Sequence, residues 1–432
     1  MPFINNIGGI NVFGNAEPNT LEQARSVASH AMQVSLMADN HLGYIMPIGG
    51  VVAYDNKISV SGVGFDIACG NAAVRTNTTL EELTGLNPDD INKNPHRVVE
   101  NTKLNTLADE IYSQLSFGIG RKNKADDAPA NNSLFNDQAM WIIPNSGSYR
   151  DTLIEKAREQ LGTIGGGNHY VDIFVDQYGK IWVGVHFGSR GFGHTIATNF
   201  LALSAGFDWG QRVKEHEGLV DLNTTLGQDY WALMNLAGRY AYVGREWVVN
   251  KVARIMGSSV HDLVHNHHNF AWKERQFIDG EYRNVVVVRK GATPAFPGQR
   301  GFVGGSMGDD AVILKGSEIS DPTNHFITSQ QRRALYSTVH GAGRVMGRME
   351  AKGKWKKGRQ VRRGKISHKE MLDWLARKGV VLRGGDVDES PQAYRRLNEV
   401  LEAQGSTIEI LYTLRPIIVC MAPANERDPY KD

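Results

Sequence analysis

Between residues 170 and 187 apolar and polar positions alternate through YVDIFVDQYGKIWVGVHF, break at Tyr178–Gly179, and resume. A period of two on both sides of a turn predicts a β-hairpin. RQFIDGEYRNVVVVRKG (275–291) places Asp-Gly between two extended runs, the strongest short hairpin signal. Elsewhere the spacing is helical. NTLEQARSVASHAMQVSLM (19–37) follows a Thr20 to Gln23 capping box, DTLIEKAREQLG (151–162) repeats the pattern, and SHKEMLDWLARKG (367–379) runs from a Ser367 to Glu370 capping box to a closing glycine. Strands concentrate in the middle and helices toward both ends, so the expected class is α+β, with central β-sheets and helices around them. No internal repeat or linker divides the chain, and one compact domain over 1–432 is expected.

Composition narrows the class. The chain has 432 residues, 41% of them apolar and 22% charged, which is ordinary globular composition. Its 47 glycines exceed the roughly 7% average usage, so many backbone positions need positive φ or close approach to a ligand. A formal charge of +2 is nearly balanced, and attraction to polyanions must come from local clusters. Only two cysteines occur, Cys69 and Cys420, and the sequence has neither a signal-like start nor an apolar run of membrane length. A reduced, cytoplasmic protein without a membrane partner is the expectation.

Chemistry gathers around histidines. Counting outward from the hairpin turn puts His169 and His186 within about two positions of direct pairing, so their Cβ atoms fall roughly 5–8 Å apart at its open end. Two imidazoles at that spacing can share a metal; the plain alternative is that each is a strand-end residue bonded to backbone. HDLVHNHHNFAWKE (261–274) adds His261, His265, His267 and His268, and SGVGFDIACGN (61–71) sets Cys69 three residues after Asp66 among glycines. A thiolate beside a carboxylate repels itself unless a cation lies between them, and a thiolate can bridge two cations. Thiolate, imidazole and carboxylate together suit Zn²⁺, Co²⁺, Fe²⁺ or Mn²⁺ rather than Mg²⁺ or Ca²⁺. The alternative for Cys69 is a small buried core residue.

STVHGAGRVMGR (337–348) then places His340 before Gly341, Ala342, Gly343 and Arg344, an imidazole on a loop whose amides can approach phosphate oxygens. His340 can serve as a base, or as a nucleophile forming a phosphoramidate. VRKGATPAF (288–296) and GGSMGDD (304–310) add a second cationic loop and another rich in glycine. The run KGKWKKGRQVRRGK (352–365) combines basic residues with Trp355, as a phosphate backbone with unstacked bases requires. A solvated loop is its alternative reading.

GVGFDIACGN, GGGNHYVDI, VHFGSRGFGH, HHNFAWKE, VRKGATPAF, GGSMG, STVHGAGRVMGR and LYTLRPIIVC stand in the order and spacing of the RtcB-type RNA-splicing ligases, and the resemblance runs from ADNHLGYIMPIGG (38–50) to the last thirty residues. It implies an RNA ligase that joins a 3′-phosphate or 2′,3′-cyclic phosphate to a 5′-hydroxyl with GTP and two Mn²⁺ ions, through a nucleotide carried on histidine. By motif, Asp66, Cys69, His169, His186 and His268 resemble the metal ligands, with Cys69 bridging. His340 resembles the nucleophile, and Asp39 the carboxylate that orients it. Asn168, Arg190, Lys290 and Arg344 resemble phosphate-holding residues, with Gly341, Ala342 and Gly343 in the same loop.

Two departures concern the base. The family carries a glutamate where this chain has Asp172, and ends in a lysine-glycine where this chain has Met421 and Ala422 and continues. Met421 cannot donate a hydrogen bond, so ATP joins GTP as a candidate nucleotide. Two rival readings stand beside the ligase: a metal-dependent RNA phosphodiesterase or cyclic-phosphate hydrolase, which would not need His340, and a catalytically silent RNA-binding protein. The RNA sealed, the oligomeric state and any activating protein are left open by the sequence.

Overall fold

The valine run at 285–288 needs apolar neighbours on both of its faces, and finds them. In the computed structural model, which describes residues 4–318, 325–356, 359–424 and 426, this run lies in a six-stranded sheet. Its strands, in spatial order, are Ile4–Ile7, Ile10–Phe13, Gln33–His41, Ile48–Tyr54, Glu281–Lys290 and Asn269–Ile278. Val52, Tyr54, Val286 and Val288 pack into one apolar cluster, while Val51, Ala53, Val285 and Val287 pack into another. Burial on both faces explains why these strands read as continuous apolar runs instead of alternating.

An eight-stranded sheet does alternate. Along its main path run Val260–His267, Gly70–Thr79, Lys180–Phe187, Tyr170–Asp176, Ile408–Met421, Ala311–Gly316 and Arg300–Val303, with Val381–Arg383 pairing to Ile408–Met421. Val171, Ile173, Val175, Ile181, Val183 and Val185 belong to the apolar cluster that also holds Val248, Val249 and Val252 of the helix Thr225–Ile255. The period of two therefore sends Tyr170, Asp172 and His186 to the opposite face. That 31-residue helix also places Tyr230, Leu233, Met234 and Ala237 in the first cluster, so it joins two cores. No helix among the described residues is long and apolar enough to cross a membrane.

Both predicted hairpins form, with Asp279 and Gly280 at the second turn, and the helices Tyr149–Gln160 and His368–Lys378 stand where the spacing puts them. The Ser367 and Glu370 capping box is present, and Gly379 ends its helix in the left-handed conformation. The N-terminal helix differs. It covers Pro18–Ala28, with Glu17 at its N-cap and Thr20 buried inside, and residues 33–37 belong to the strand Gln33–His41. Val34 and Leu36 pair there with Ile10, Val12, Gly50 and Val52, and long-range strand pairing outweighs the local helical spacing. The distribution of elements also differs from expectation: strands occupy both ends of the chain, and the longest helix lies in the middle. The basic run 352–365 becomes the hairpin Gly353–Lys356 and Arg359–Arg363, with 357–358 outside the described residues.

Candidate active site

Along the chain the two sheets are joined at one residue. Val260–His267 is an edge strand of the eight-stranded sheet and Asn269–Ile278 an edge strand of the other, and only His268 separates them. The backbone N–H of His268 donates to the Cys69 carbonyl at 2.9 Å, which fastens this corner to the loop carrying Asp66 and Cys69. His169 immediately precedes its strand, and His186 lies opposite Tyr170 in the register, one position from His169. The offset of one position falls within the two counted from the turn, and the imidazole centroids of His169 and His186 are 5.3 Å apart.

Cys69 stands at the centre of these side chains. Its Sγ lies 3.6 Å from both His169 Nε2 and His186 Nε2, and Asp66 Oδ2 lies 3.1 Å from His169 Nε2. Two groups of donor atoms, Cys69 with His186 and His268, and Asp66 with Cys69 and His169, each fall within 4.8 Å of one another. Cys69 belongs to both groups, the arrangement a thiolate bridging two cations needs. Burial pushes the Cys69 thiol well above its ordinary range, and the Asp66 carboxylate pushes it the same way. Burial pushes Asp66 up as well, but the His169 hydrogen bond and the charges of His169 and Arg190 outweigh it and hold the carboxyl at about 2. His186 and His268 are both lowered well below the usual imidazole value, first by burial and then by neighbouring histidines.

Two details fit a metal. His268 Nδ1 is buried without a hydrogen-bond partner, which costs about 1–3 kcal/mol unless something else occupies the lone pair. His186 is held in one orientation: Asn71 Nδ2 donates to the Phe302 carbonyl at 2.8 Å, so Asn71 Oδ1 faces His186 Nδ1 at 2.7 Å. The proton sits on Nδ1, and Nε2 presents its lone pair to the site, as a ligating histidine requires.

His340 follows the short strand Ser337–Val339, and its ring centroid is 5.0 Å from that of His268. Asp39, fully buried where the pairing of Gln33–His41 is interrupted, accepts from His340 Nδ1 at 2.6 Å and from His340 N at 2.9 Å. The loop passes so close to Asp39 that a Cβ on Gly343 would meet its carbonyl oxygen at 2.5 Å, and Gly343 has φ +73°. Arg395 braces the same stretch, donating to the Ala38 carbonyl at 2.7 Å and to the Asn40 carbonyl at 3.0 Å.

These residues open onto a cavity of about 930 Å³, whose wall includes Asp66, Cys69, Asn168, His169, Asp172, His186, His268, His340, Gly341, Ala342, Gly343, Arg344 and Met421. Asp172 Oδ1 is buried and unpartnered there, and burial alone raises its carboxyl well above the carboxylate range. Two anticipated cations do not line the cavity. Arg190 lies behind His169, donating to Nδ1 at 3.1 Å, and Lys290 points to the Ser61 carbonyl at 3.1 Å, where burial lowers its ammonium to about 8. Arg344 reaches the wall, but its guanidinium is engaged by the Tyr394 hydroxyl at 2.6 Å, the Asp388 carbonyl at 2.7 Å and Glu389 at 3.2 Å. Of the other histidines, His265 and His267 turn toward Arg245, and His261 bonds to Asn77 at the far end of its strand.

Sequence reasoning missed Asn71, Arg395 and the acidic pair Asp388–Glu389, the last of which binds both Arg344 and Arg348. Asn71 follows the glycine after Cys69, so its place beside the thiol loop was the one signal available.

The sequence model of the family described as tRNA-splicing ligase RtcB matches residues 21–422. The tRNA-splicing ligase RtcB of Archaeoglobus fulgidus is 29% identical over 93% of this chain and 90% of its own length. The RNA-splicing ligase RtcB of Escherichia coli is 30% identical over 89% of each, and the tRNA-splicing ligase RtcB of Thermococcus kodakarensis is 28% identical over 93% of this chain and 90% of its own. A match of this extent, over a chain that folds a histidine onto a buried aspartate beside a shared-thiol donor cluster, means that the chain belongs to the RtcB tRNA-splicing ligase family.

Proposed function

We propose that this chain is an RNA ligase that joins 3′-phosphate or 2′,3′-cyclic phosphate ends to 5′-hydroxyl ends through a nucleotide carried on His340. The observation that carries the reading is the Asp39 to His340 hydrogen bond: with Nδ1–H donated to Asp39 Oδ2, Nε2 keeps a free lone pair at the cavity wall.

The bond changes follow from that lone pair. His340 Nε2 forms a P–N bond to the α-phosphorus of a nucleoside triphosphate, the α–β P–O bond breaks, and pyrophosphate leaves with the electron pair. An oxygen of the RNA 3′-phosphate then bonds to the same phosphorus as the P–N bond breaks, which returns the lone pair to His340. The 5′-hydroxyl oxygen attacks the activated 3′-phosphorus, its proton passes to solvent, and the nucleoside monophosphate leaves. A 2′,3′-cyclic phosphate is first opened by water to the 3′-phosphate.

Asp66, Cys69, His169, His186 and His268 would hold Mn²⁺, which when bound supplies charge neutralisation at the phosphate oxygens. Gly341, Ala342, Gly343 and Asn168 lie on the cavity wall where they would meet the phosphates, with the Gly341 amide already bonded to Asp39 Oδ2 at 3.3 Å, and Arg344 would supply positive charge once phosphate competes with Glu389. GTP is the nucleotide the family reading favours. Asp172 and Met421 leave the base of the nucleotide to experiment, so ATP is tested beside it. The hairpin of Gly353–Lys356 and Arg359–Arg363 begins directly after the helix bearing Arg348, which lines the cavity, and its exposed Lys354, Arg362 and Arg363 would meet the RNA backbone.

The test is sealing of an RNA with 3′-phosphate and 5′-hydroxyl ends in Mn²⁺ with GTP, or separately ATP. Sealed product that His340→Ala cannot form is expected. Phosphate-ester hydrolysis without sealing, unchanged in His340→Ala, would replace this reading with the hydrolase.

A further inference from the structure

Arg245 lies in the middle of the helix Thr225–Ile255, where a charged residue would ordinarily face water, yet it is fully buried. Its hydrogen bonds go to four neutral acceptors. Nη1 donates to the Ala68 carbonyl at 2.9 Å and to the Phe187 carbonyl at 2.5 Å, Nη2 to His267 Nδ1 at 2.8 Å, and Nε to His265 Nε2 at 2.8 Å. Three of these acceptors sit immediately beside a candidate ligand. Ala68 precedes Cys69, Phe187 follows His186, and His267 precedes His268.

Those three segments lie at the ends of three neighbouring strands of the eight-stranded sheet, where Gly70 stands opposite both Phe187 and His267. The first is the loop before Gly70–Thr79, the second the end of Lys180–Phe187, and the third the corner between the sheets. Ala68 is also a non-glycine residue at φ +60°, a conformation that costs about 1 kcal/mol and persists only where surroundings hold it. Tyr242, one turn earlier on the same helix, stacks on His267 with centroids 3.9 Å apart and an interplanar angle of 18°, so the helix holds the face of this ring as well as its Nδ1.

We propose that Arg245 is a positioning residue whose guanidinium sets the relative placement of Cys69, His186 and His268 by tying their three segments to one rigid helix. The inference rests on the reading of those residues as metal ligands. A buried charge whose hydrogen bonds all go to neutral acceptors is a poor stabiliser, since desolvation costs several kcal/mol per ion and Asp66 and Glu246 act on it without bonding to it. A planar fork with five donors is, by contrast, the side chain able to fix three separate segments at once, and an ammonium on a flexible stem cannot replace it.

The test titrates Co²⁺ into the metal-free full chain and follows the thiolate-to-cobalt charge-transfer absorption, with thermal unfolding of the metal-free protein measured alongside. Arg245→Met and Arg245→Lys are compared with Arg289→Met, which alters a second fully buried arginine, bonded to Glu274 and Ser337 away from the donor cluster. Both Arg245 variants are expected to lose roughly 10- to 100-fold in Co²⁺ affinity and to change the absorption band, beyond any loss Arg289→Met shows at a similar Tm. A folded Arg245 variant with the affinity and spectrum of the unaltered protein would overturn the inference. If neither variant folds, His267→Phe removes one tether while keeping the stack on Tyr242; an intermediate loss of affinity is expected, and no loss would also overturn it. Failure of the unaltered protein to give a thiolate band would instead reject the ligand reading itself.

Discussion

Asp39 and His340 lie 301 residues apart in the chain, and Asp39 Oδ2 accepts from His340 Nδ1 at 2.6 Å. One carboxylate oxygen also receives the His340 and Gly341 backbone N–H groups, at 2.9 Å and 3.3 Å. The imidazole is therefore fixed in both orientation and tautomer, and Nε2 is the atom left to react.

Asp39→Asn keeps an oxygen acceptor but removes the negative charge that stabilises a histidine bonded to phosphorus. Nucleotide transfer to the protein should fall by about 10²- to 10⁴-fold, the range for loss of a positioned proton acceptor, with little change in Tm. Rapid-quench measurement of the labelled protein gives the rate, and a rate within twofold of the unaltered protein would contradict the assigned role.

Gly343 and Gly341 should differ although they flank the same alanine. At Gly343 the added Cβ meets the Asp39 carbonyl oxygen at 2.5 Å with φ at +73°, whereas at Gly341 the nearest atom is the Gly304 carbonyl oxygen at 3.4 Å. Gly343→Ala should lower stability by more than about 1 kcal/mol and displace the His340 loop, and Gly341→Ala should leave stability unchanged within about 0.5 kcal/mol. Thermal unfolding of the two variants decides; equal losses would contradict the packing account.

How much of this could be read beforehand depended on the range of the interaction. The proximity of His169 to His186 followed from period-two alternation around one turn, because a hairpin is local. The choice of His268 over His265 came from the family motif, and its physical basis, a corner between two sheets, depends on strand pairing far along the chain. Arg245 had no sequence signal at all: a lone arginine in a helical stretch reads as exposed, and only tertiary packing buries it. The segment 33–37 was misread for the same reason, since partners at Ile10–Val12 and Gly50–Ala53 decide that it is a strand.

Cys69→Ser should remove the one donor shared by both ligand groups. Co²⁺ binding is expected to weaken by at least about tenfold with loss of the charge-transfer band, and chelation of the unaltered protein should abolish sealing reversibly. Equilibrium dialysis with absorption spectroscopy checks both. A serine variant with unaltered affinity would show that Cys69 is only a buried core residue.

Lys290 gives a pH dependence of known sign. Burial lowers its ammonium from 10.5 to about 8, so between those values the unfolded chain binds more protons than the folded one. The penalty of burying the charge is full below about 8 and fades as pH rises toward 10.5, a relief of at most about 3 kcal/mol. Urea unfolding of the metal-free protein should therefore show Lys290→Met most stabilised relative to the unaltered chain near neutral pH, with the gap closing as pH is raised. A gap independent of pH would contradict the burial of the ammonium.

The central claim is that His340 carries the nucleotide. The direct measurement is to incubate the full chain with Mn²⁺ and GTP, or separately ATP, then denature, digest under alkaline conditions that preserve a P–N bond, and locate the adduct by mass spectrometry. The account predicts a nucleoside monophosphate on His340, absent from His340→Ala and released by acid. An adduct on another residue, or sealing of RNA by a protein that never carries one, would contradict it.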